Sequence, residues 1–375
     1  MSVTATMDAS TSAVRPRTKG ADLGPISAVV CNFNGEHYLE ECVRSIQALQ
    51  PGVDEIIVVD NLSTDSSIEI LRAEFPGVRL LRLPKNGGPC VARNAGVRAA
   101  RNRFVLAVDN DAVLLQDTLG KLEQALIERP DAVAAQPRSV YADEPGRVHY
   151  NGGDFHYVGL YSLRNFGVPL AQATGQGVME VDGLIAICIL FDSDAYASVG
   201  GYDEDFFILF EDFDLSMRLR IAGYKLLAVE SAIVRHKGGT AGISFRGDAY
   251  PKFRAYYHSR NRWLLLYKNY SVRTLVAGFP GILLYEIAWT VFALREGHLR
   301  AHVAGKRGFL QSLGAARRAR QKVQGMRRTR DRELLVGGPL TFSPQLVEKP
   351  AAKRAANLLD GVLRFVWSGA KYFAG

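Results

Sequence analysis

The chain has 375 residues, 47% hydrophobic and 22% charged, which is ordinary for a folded protein with a real core and long for one average domain. Its four cysteines, Cys31, Cys42, Cys90 and Cys188, show no CxxC or Cys/His spacing. That argues against a zinc site or disulfide framework and fits a reducing compartment. The net charge of +8 is uneven: Arg295 to Arg332 holds twelve Lys/Arg against Glu296 and Asp331, a local +10, so the remainder carries about −2. A basic tract beside apolar helices points to an anionic surface.

Residues 1–24 lack hydrophobic periodicity and an apolar signal-peptide run, which predicts a disordered leader and no secretory signal. Short buried-strand runs then alternate with helical patterns. Strands are expected at 26–32, 53–60, 78–84 and 103–109. Helices are expected at 35–49, 63–75 (capped by Ser63 or Asp65), 88–100 and 114–129. This β-α alternation with short connections predicts an α/β, Rossmann-like, mostly parallel sheet flanked by helices. Ligands bind such sheets at the carboxyl ends of the strands, where Asn32, Asp60, Asn86 and Asp109 to Asp111 fall.

The second half reads differently. Residues 148–167 are rich in Gly and aromatics, 177–207 hold a buried run, and 211–229 read as a helix, a turn and a strand. The apolar stretch 275–294 has the length to span a bilayer, but Gly-Phe-Pro-Gly interrupts it and Glu286 charges it. It is expected to lie in the membrane interface with neighbouring amphipathic helices. The domain division is therefore leader 1–24, α/β domain 25–250, and basic membrane-associating helical region 251–375.

Several groups can carry chemistry. In "VDNDA", Asp109 and Asp111 can turn toward one ligand as the strand ends, which suits a hard divalent cation and a diphosphate; a solvated turn is the plain alternative. The same motif fits an aspartyl-nucleophile phosphohydrolase using Asp109, although such proteins place it on the first strand. Glu211, Asp212 and Asp214 open a helix, either as an acidic cap or with one carboxylate acting as a base beside the aromatic run before it. His236 is either a metal ligand or structural, and Arg93 meets a phosphate or packs on the surface.

Together the blocks "VVCNFNGEHYLEECVRSI", "EIIVVDNLSTDSS", "LPKNGGPCVARNAGVRAA", "FVLAVDNDAVL", "VGGYDEDFFILFEDFDLSMRLRIAGYKL" and "VRHKGGT" resemble, in order and spacing, the family 2 glycosyltransferases, which have the GT-A fold. The resemblance covers about residues 26–245. It implies that Asn32 and Asn34, with Glu36 nearby, approach the nucleotide base, and that Asp60 bonds the base or ribose. It places Asn86 and Arg93 against the nucleotide and its phosphates. It also makes Asp109, Asn110 and Asp111 the metal–diphosphate motif, with Asp111 a direct ligand of Mg²⁺ or Mn²⁺, His236 a metal or diphosphate contact, and Asp212 the catalytic base of an inverting transfer. The first loop departs from the family's Pro-x-Tyr-Asn. "VDN" for Val-Asp-Asp and "RNRWLLLYKNY" resemble the rhamnosyltransferase-like branch, which often uses dTDP-rhamnose and lipid-linked acceptors in cell-surface glycan synthesis. The partners so implied are a nucleoside-diphosphate sugar, a glycan or lipid-linked acceptor and an anionic membrane surface, with no nucleic acid. The implied location is cytoplasmic, on the inner face of the cell membrane. A non-catalytic peripheral membrane protein is the remaining alternative.

Overall fold

The computed structural model describes residues 17–175, 177–238, 250–343 and 346–375. The first part runs β1 (Ile26–Asn32), α1 (Leu39–Gln47), β2 (Glu55–Asp60), α2 (Ser67–Glu74), β3 (Arg79–Arg82), α3 (Gly88–Ala99), β4 (Phe104–Asp109), β5 (Ala112–Leu114) and α4 (Thr118–Glu128). The middle comprises β6 (Ala132–Tyr141), β7 (Val148–Tyr150), β8 (Gly153–His156), β9 (Leu160–Leu163), β10 (Val178–Val181), β11 (Cys188–Asp192), α5 (Ser193–Ser198), α6 (Glu211–Ile221) and β12 (Lys225–His236). It ends with α7 (Lys252–Asn269), α8 (Val272–Arg295), α9 (Leu299–Gln311), α10 (Leu313–Gly325), α11 (Asp331–Leu334), β13 (Leu335–Val336) and α12 (Pro350–Ala370).

The main sheet has the order β10-β12-β6-β11-β4-β1-β2-β3, with β5 added to β12 and β7 to β6. The β3-β2-β1-β4 half is parallel, as the β-α alternation predicts. Antiparallel β11 joins it to β6, so the whole sheet is mixed. Neighbouring residues feed opposite cores: fully buried Val29 packs with the cluster that includes Ala92 and Phe213, and fully buried Val30 with Leu39, Ile46 and Leu122. Each such aliphatic side chain stabilises the fold by about 1.5–3 kcal/mol.

Several expectations need correction. Residues 112–114, partly assigned to a helix, form β5, whose pairing sets Ala112 opposite His236. Helix α1 starts at Leu39, because Gly35 and Tyr38 make a turn first. The cap position of α2 is Ser66, not Ser63; Asp65 does accept from the N–H of Ser67, the first helical residue (3.1 Å), and both expected caps also bond the β1–α1 loop. Residues 17–24, placed in a disordered leader, are packed on the domain. Arg17 donates to the carbonyls of Leu126 and Ala132 at 2.9 Å each, and Leu23 is buried. Residues 1–16 lie outside the described residues.

The expected break in 275–294 does not occur: α8 is continuous over 24 residues with Pro280 inside it. The glycines serve a close approach. A Cβ on Gly281 would lie 1.9 Å from the Tyr157 hydroxyl, so only glycine lets that ring reach the helix. Nor is residue 250 a break in packing. Tyr157 stacks on Trp367 at 4.7 Å, β13 pairs with β8, and Leu363 and Trp367 share the core cluster of Val29.

Glu286, the carboxylate inside α8, is bonded by Arg262 (2.7 Å) and the Trp263 indole (2.9 Å), with His302 at 3.2 Å and Lys306 also in contact. Burial alone would raise its pKa, but the His302 bond and the two cations hold it well below the usual carboxylate range. The stability it contributes is therefore present above the unfolded-state value of about 4.3 and fades as pH falls below that. Glu286→Gln is expected to cost about 3 kcal/mol in urea unfolding at neutral pH, because buried Arg262 and half-buried Lys306 lose their partner. The difference from wild type should shrink as the measurement is moved below about pH 4.

Candidate active site

Strand ends β1, β2 and β4 and the start of α6 converge at one edge of the sheet. Asn32, buried at the end of β1, donates to Ser67 (3.0 Å) and Ser63 (3.2 Å), and its amide lies 3.4 Å from Asp60. Its carbonyl accepts from the Asn110 amide at 2.8 Å. One buried side chain thus joins the two "VDN" strand ends. Asn110 must be an amide to make this bond, since a carboxylate has no proton to donate. Gly35 is required beside it, because a Cβ there would lie 2.2 Å from the Asn110 amide nitrogen.

The β1–α1 loop is bolted to the start of α2. The Asn34 carbonyl accepts from Thr64 N–H (2.9 Å) and Glu36 accepts from Ser66 N–H (3.1 Å). Asn34 has a positive φ of 50°, which asparagine tolerates better than most residues. Asp60 is fully buried, accepting from Ser63 N–H and pairing with Arg82 at 3.2 Å. Its carboxylate shapes the loop from within. Asn86 accepts from Gly88 N–H (2.9 Å) at the start of α3 and is exposed at the same edge.

Around β4 and α6 the charges concentrate. The Arg93 side chain is only 5% exposed and reaches Asp109 at 2.7 Å, Glu211 at 3.5 Å and Asp212 at 3.9 Å, with its guanidinium 5.2 Å from the Tyr202 ring centre. Burial and the neighbouring Asp212 charge push the Glu211 carboxyl up to about 8, against the pull of Arg93. Burial likewise lifts Asp109. Asp212 is half-buried. One of its oxygens accepts from Ala186 N–H (3.1 Å) and the other from the Tyr202 hydroxyl (2.9 Å). Asp214 has no access to solvent and pairs with Arg218 and Lys268, both at 2.7 Å, so the third acid of the cluster is structural.

Asp109, Asp111 and His236 offer ligand atoms all within 4.8 Å of one another. His236 Nε2 lies 3.3 Å from Asp111, held there by the β5–β12 pairing. Two carboxylates and an imidazole fit a divalent cation that accepts mixed oxygen and nitrogen donors. The His236 ring stacks on His149 at 5.0 Å, which fixes its plane.

Tyr202 and Asn261 are absent from the sequence expectations. Tyr202 stands in a run read only as bulky aromatics, and Asn261 in "RNRWLLLYKNY", read only for its resemblance to the rhamnosyltransferase-like branch. The backbone before α6 holds three non-glycine residues at positive φ, Phe207, Leu209 and Phe210. Such strain persists only when surroundings impose it. Fully buried Asn261 imposes it, since its amide contacts the carbonyls of Phe206 (2.8 Å), Ile208 (2.9 Å) and Leu209 (2.9 Å). Asn261→Ala is expected to cost about 1–3 kcal/mol in stability. It should also speed amide hydrogen exchange at residues 206–212 above that of the sheet.

Comparison with known proteins agrees with this geometry. The model for "Glycosyl transferase family 2" matches residues 27–179, and that for "Glycosyl transferase family group 2" matches residues 104–304. The N-acetylglucosaminyl-diphospho-decaprenol L-rhamnosyltransferase of Mycobacterium tuberculosis (strains CDC 1551 / Oshkosh and ATCC 25618 / H37Rv) is 27% identical over 249 residues, 59% of this chain and 78% of that protein. Among solved structures, GalNAc-T7 with UDP, GalNAc and Mn2+ matches with a TM-score of 0.53 at 16% identity over 69% of this chain. This chain spans about half (51%) of that one, and the likeness speaks for the fold alone. With more than half of the residues matched by one family model and the sheet built as in a GT-A enzyme, the chain belongs to the family 2 glycosyltransferases.

Proposed function

We propose that the protein is an inverting glycosyltransferase that moves a sugar from a nucleoside diphosphate, dTDP-rhamnose in the first instance, to a hydroxyl of a lipid-linked or polysaccharide acceptor. The observation that carries this reading is the bridge of Arg93 between Asp109, in the metal–diphosphate motif, and Asp212, the base. It sets donor-binding and proton-accepting groups side by side. The M. tuberculosis relative, by its name a rhamnosyltransferase acting on a decaprenol-linked sugar, supports the donor and acceptor classes.

In this mechanism Asn34, Glu36 and Asn86 form the rim that receives the nucleoside, with buried Asn32 and Asp60 shaping it from below. Asp109, Asn110, Asp111 and His236 face the diphosphate. A divalent cation, when bound there, neutralises charge on the leaving diphosphate. The donor set suits Mn²⁺; Mg²⁺ fits the two carboxylates. Burial and the neighbouring Asp212 charge raise the Glu211 carboxyl, which leaves the half-buried Asp212 carboxylate as the base of the pair. Tyr202 and Ala186 N–H aim that carboxylate. Asp212 takes the acceptor hydroxyl's proton as the oxygen attacks the anomeric carbon. The bond to the diphosphate breaks on the opposite face, so configuration inverts. Asp109 is occupied by Arg93 at 2.7 Å, which disfavours its use as a nucleophile.

The reading includes attachment to the inner face of the cell membrane. Among the described residues one helix, Val272–Arg295, is long and apolar enough to cross a bilayer, with mean hydropathy 1.6. Spanning would break the contacts of Glu286 with α7 and α9, which supports a helix lying along the surface.

Calorimetric titration of UDP, dTDP and GDP, each with Mn²⁺ or Mg²⁺, tests the donor class; dTDP with Mn²⁺ is expected to bind tightest. Asp212→Asn should lower transfer by at least about a thousandfold while leaving metal-dependent nucleotide binding near wild type. Transfer at the wild-type rate would refute the base. Asp111→Ala should remove both metal-dependent nucleotide binding and transfer.

A further inference from the structure

A second concave surface lies outside the sheet edge. The start of α8, the segment around α11 and the end of α12 enclose an open groove of about 1050 Å³. Its apolar wall includes Val272, Val276, Tyr372 and Phe373, each at least 65% exposed. Arg273, Arg330 and Arg332 also line it and are exposed. Among the described residues, no carboxylate forms an ion pair with any of the three. Asp331, between two of them, is turned inward and bonded to Arg327 and Ser271 N–H. The apolar surface continues along one side of α8 through Phe279, Leu283, Ile287 and Leu294, all exposed.

We infer that this groove seats the phosphate headgroup of an anionic bilayer lipid, with the acyl chains lying over the exposed side of α8. Three guanidinium groups that no described carboxylate pairs match a phosphate, which they can grip bidentately. The aromatic rings of Tyr372 and Phe373 suit the depth at which headgroups give way to hydrocarbon. A second copy of this chain is a poor occupant, because self-association through this patch would set like charges against each other. The inference rests on the membrane attachment proposed above and adds the lipid charge it requires and the residues that read it.

The test is flotation of the full-length protein with vesicles of phosphatidylcholine alone or with one-third phosphatidylglycerol. Wild type should prefer the anionic vesicles, and the preference should weaken with salt. Each basic residue at such a surface is worth about fivefold in binding, so Arg330→Glu/Arg332→Glu should lose about tenfold or more. Arg317→Glu/Arg318→Glu makes the same charge change on exposed α10, outside the groove, and should stay within about twofold of wild type. Retained metal-dependent nucleotide binding will show that each variant is folded. Equal losses in both pairs, or no loss in the groove pair, would overturn the headgroup seat and leave membrane attachment standing. Wild type that floats with neither vesicle would overturn attachment as well. Neither vesicle result bears on sugar transfer, which the Asp212→Asn measurement decides.

Discussion

A buried guanidinium holds this site together. Arg93 lies among Asp109, Glu211 and Asp212, almost without solvent. Three acids could not share such a space by themselves, because burial and mutual repulsion would drive protons onto them or force them apart. One fixed positive charge on α3 lets β4 and α6 bring their carboxylates together. Even so, the compensation is incomplete, and the Glu211 carboxyl stays raised above the usual carboxylate range. Glu211 and Asp212 thus sit in different surroundings although one arginine serves both.

That constraint ties the C-terminal helices to the sheet edge. Helix α6 must start where Asp212 meets Arg93, so the chain before it bends through three left-handed residues. Asn261 on α7 holds that bend, and Lys268 on the same helix neutralises Asp214 beneath it. Helix α8 is tied to α7 through Glu286 and Arg262. The exposed apolar side of α8 is therefore joined to Asp212 by two helices and a few buried polar contacts.

Much of this was legible in the chain. The parallel strands were readable because buried aliphatic runs ending in Asn or Asp recur at βα spacing, and Asp109, Asp111, Asp212 and His236 fall at element ends. The errors share a cause. Strand β5 is three residues long and exists only because β12 pairs with it, so no local pattern announces it. Gly-Phe-Pro-Gly looked like an interruption, yet its glycines answer to Tyr157, more than a hundred residues away. The burial of Asp60 and Arg93 and their ion pairs with Arg82 and Asp109 were not legible either, because charge type alone does not tell an exposed group from a buried strut.

By itself, then, the sequence determined the sheet half that carries the strand-end acids, the helix that carries Asp212, and the family. Those depend on local periodicity and on motifs whose members lie within a few residues. Only the tertiary structure decided that Arg93 is enclosed, that Asn32 joins the two "VDN" ends through Asn110, and that Asn261 supports the turn before Asp212. Each of these is a contact between distant segments, where burial and hydrogen-bond geometry choose the partner and no spacing in the chain encodes it.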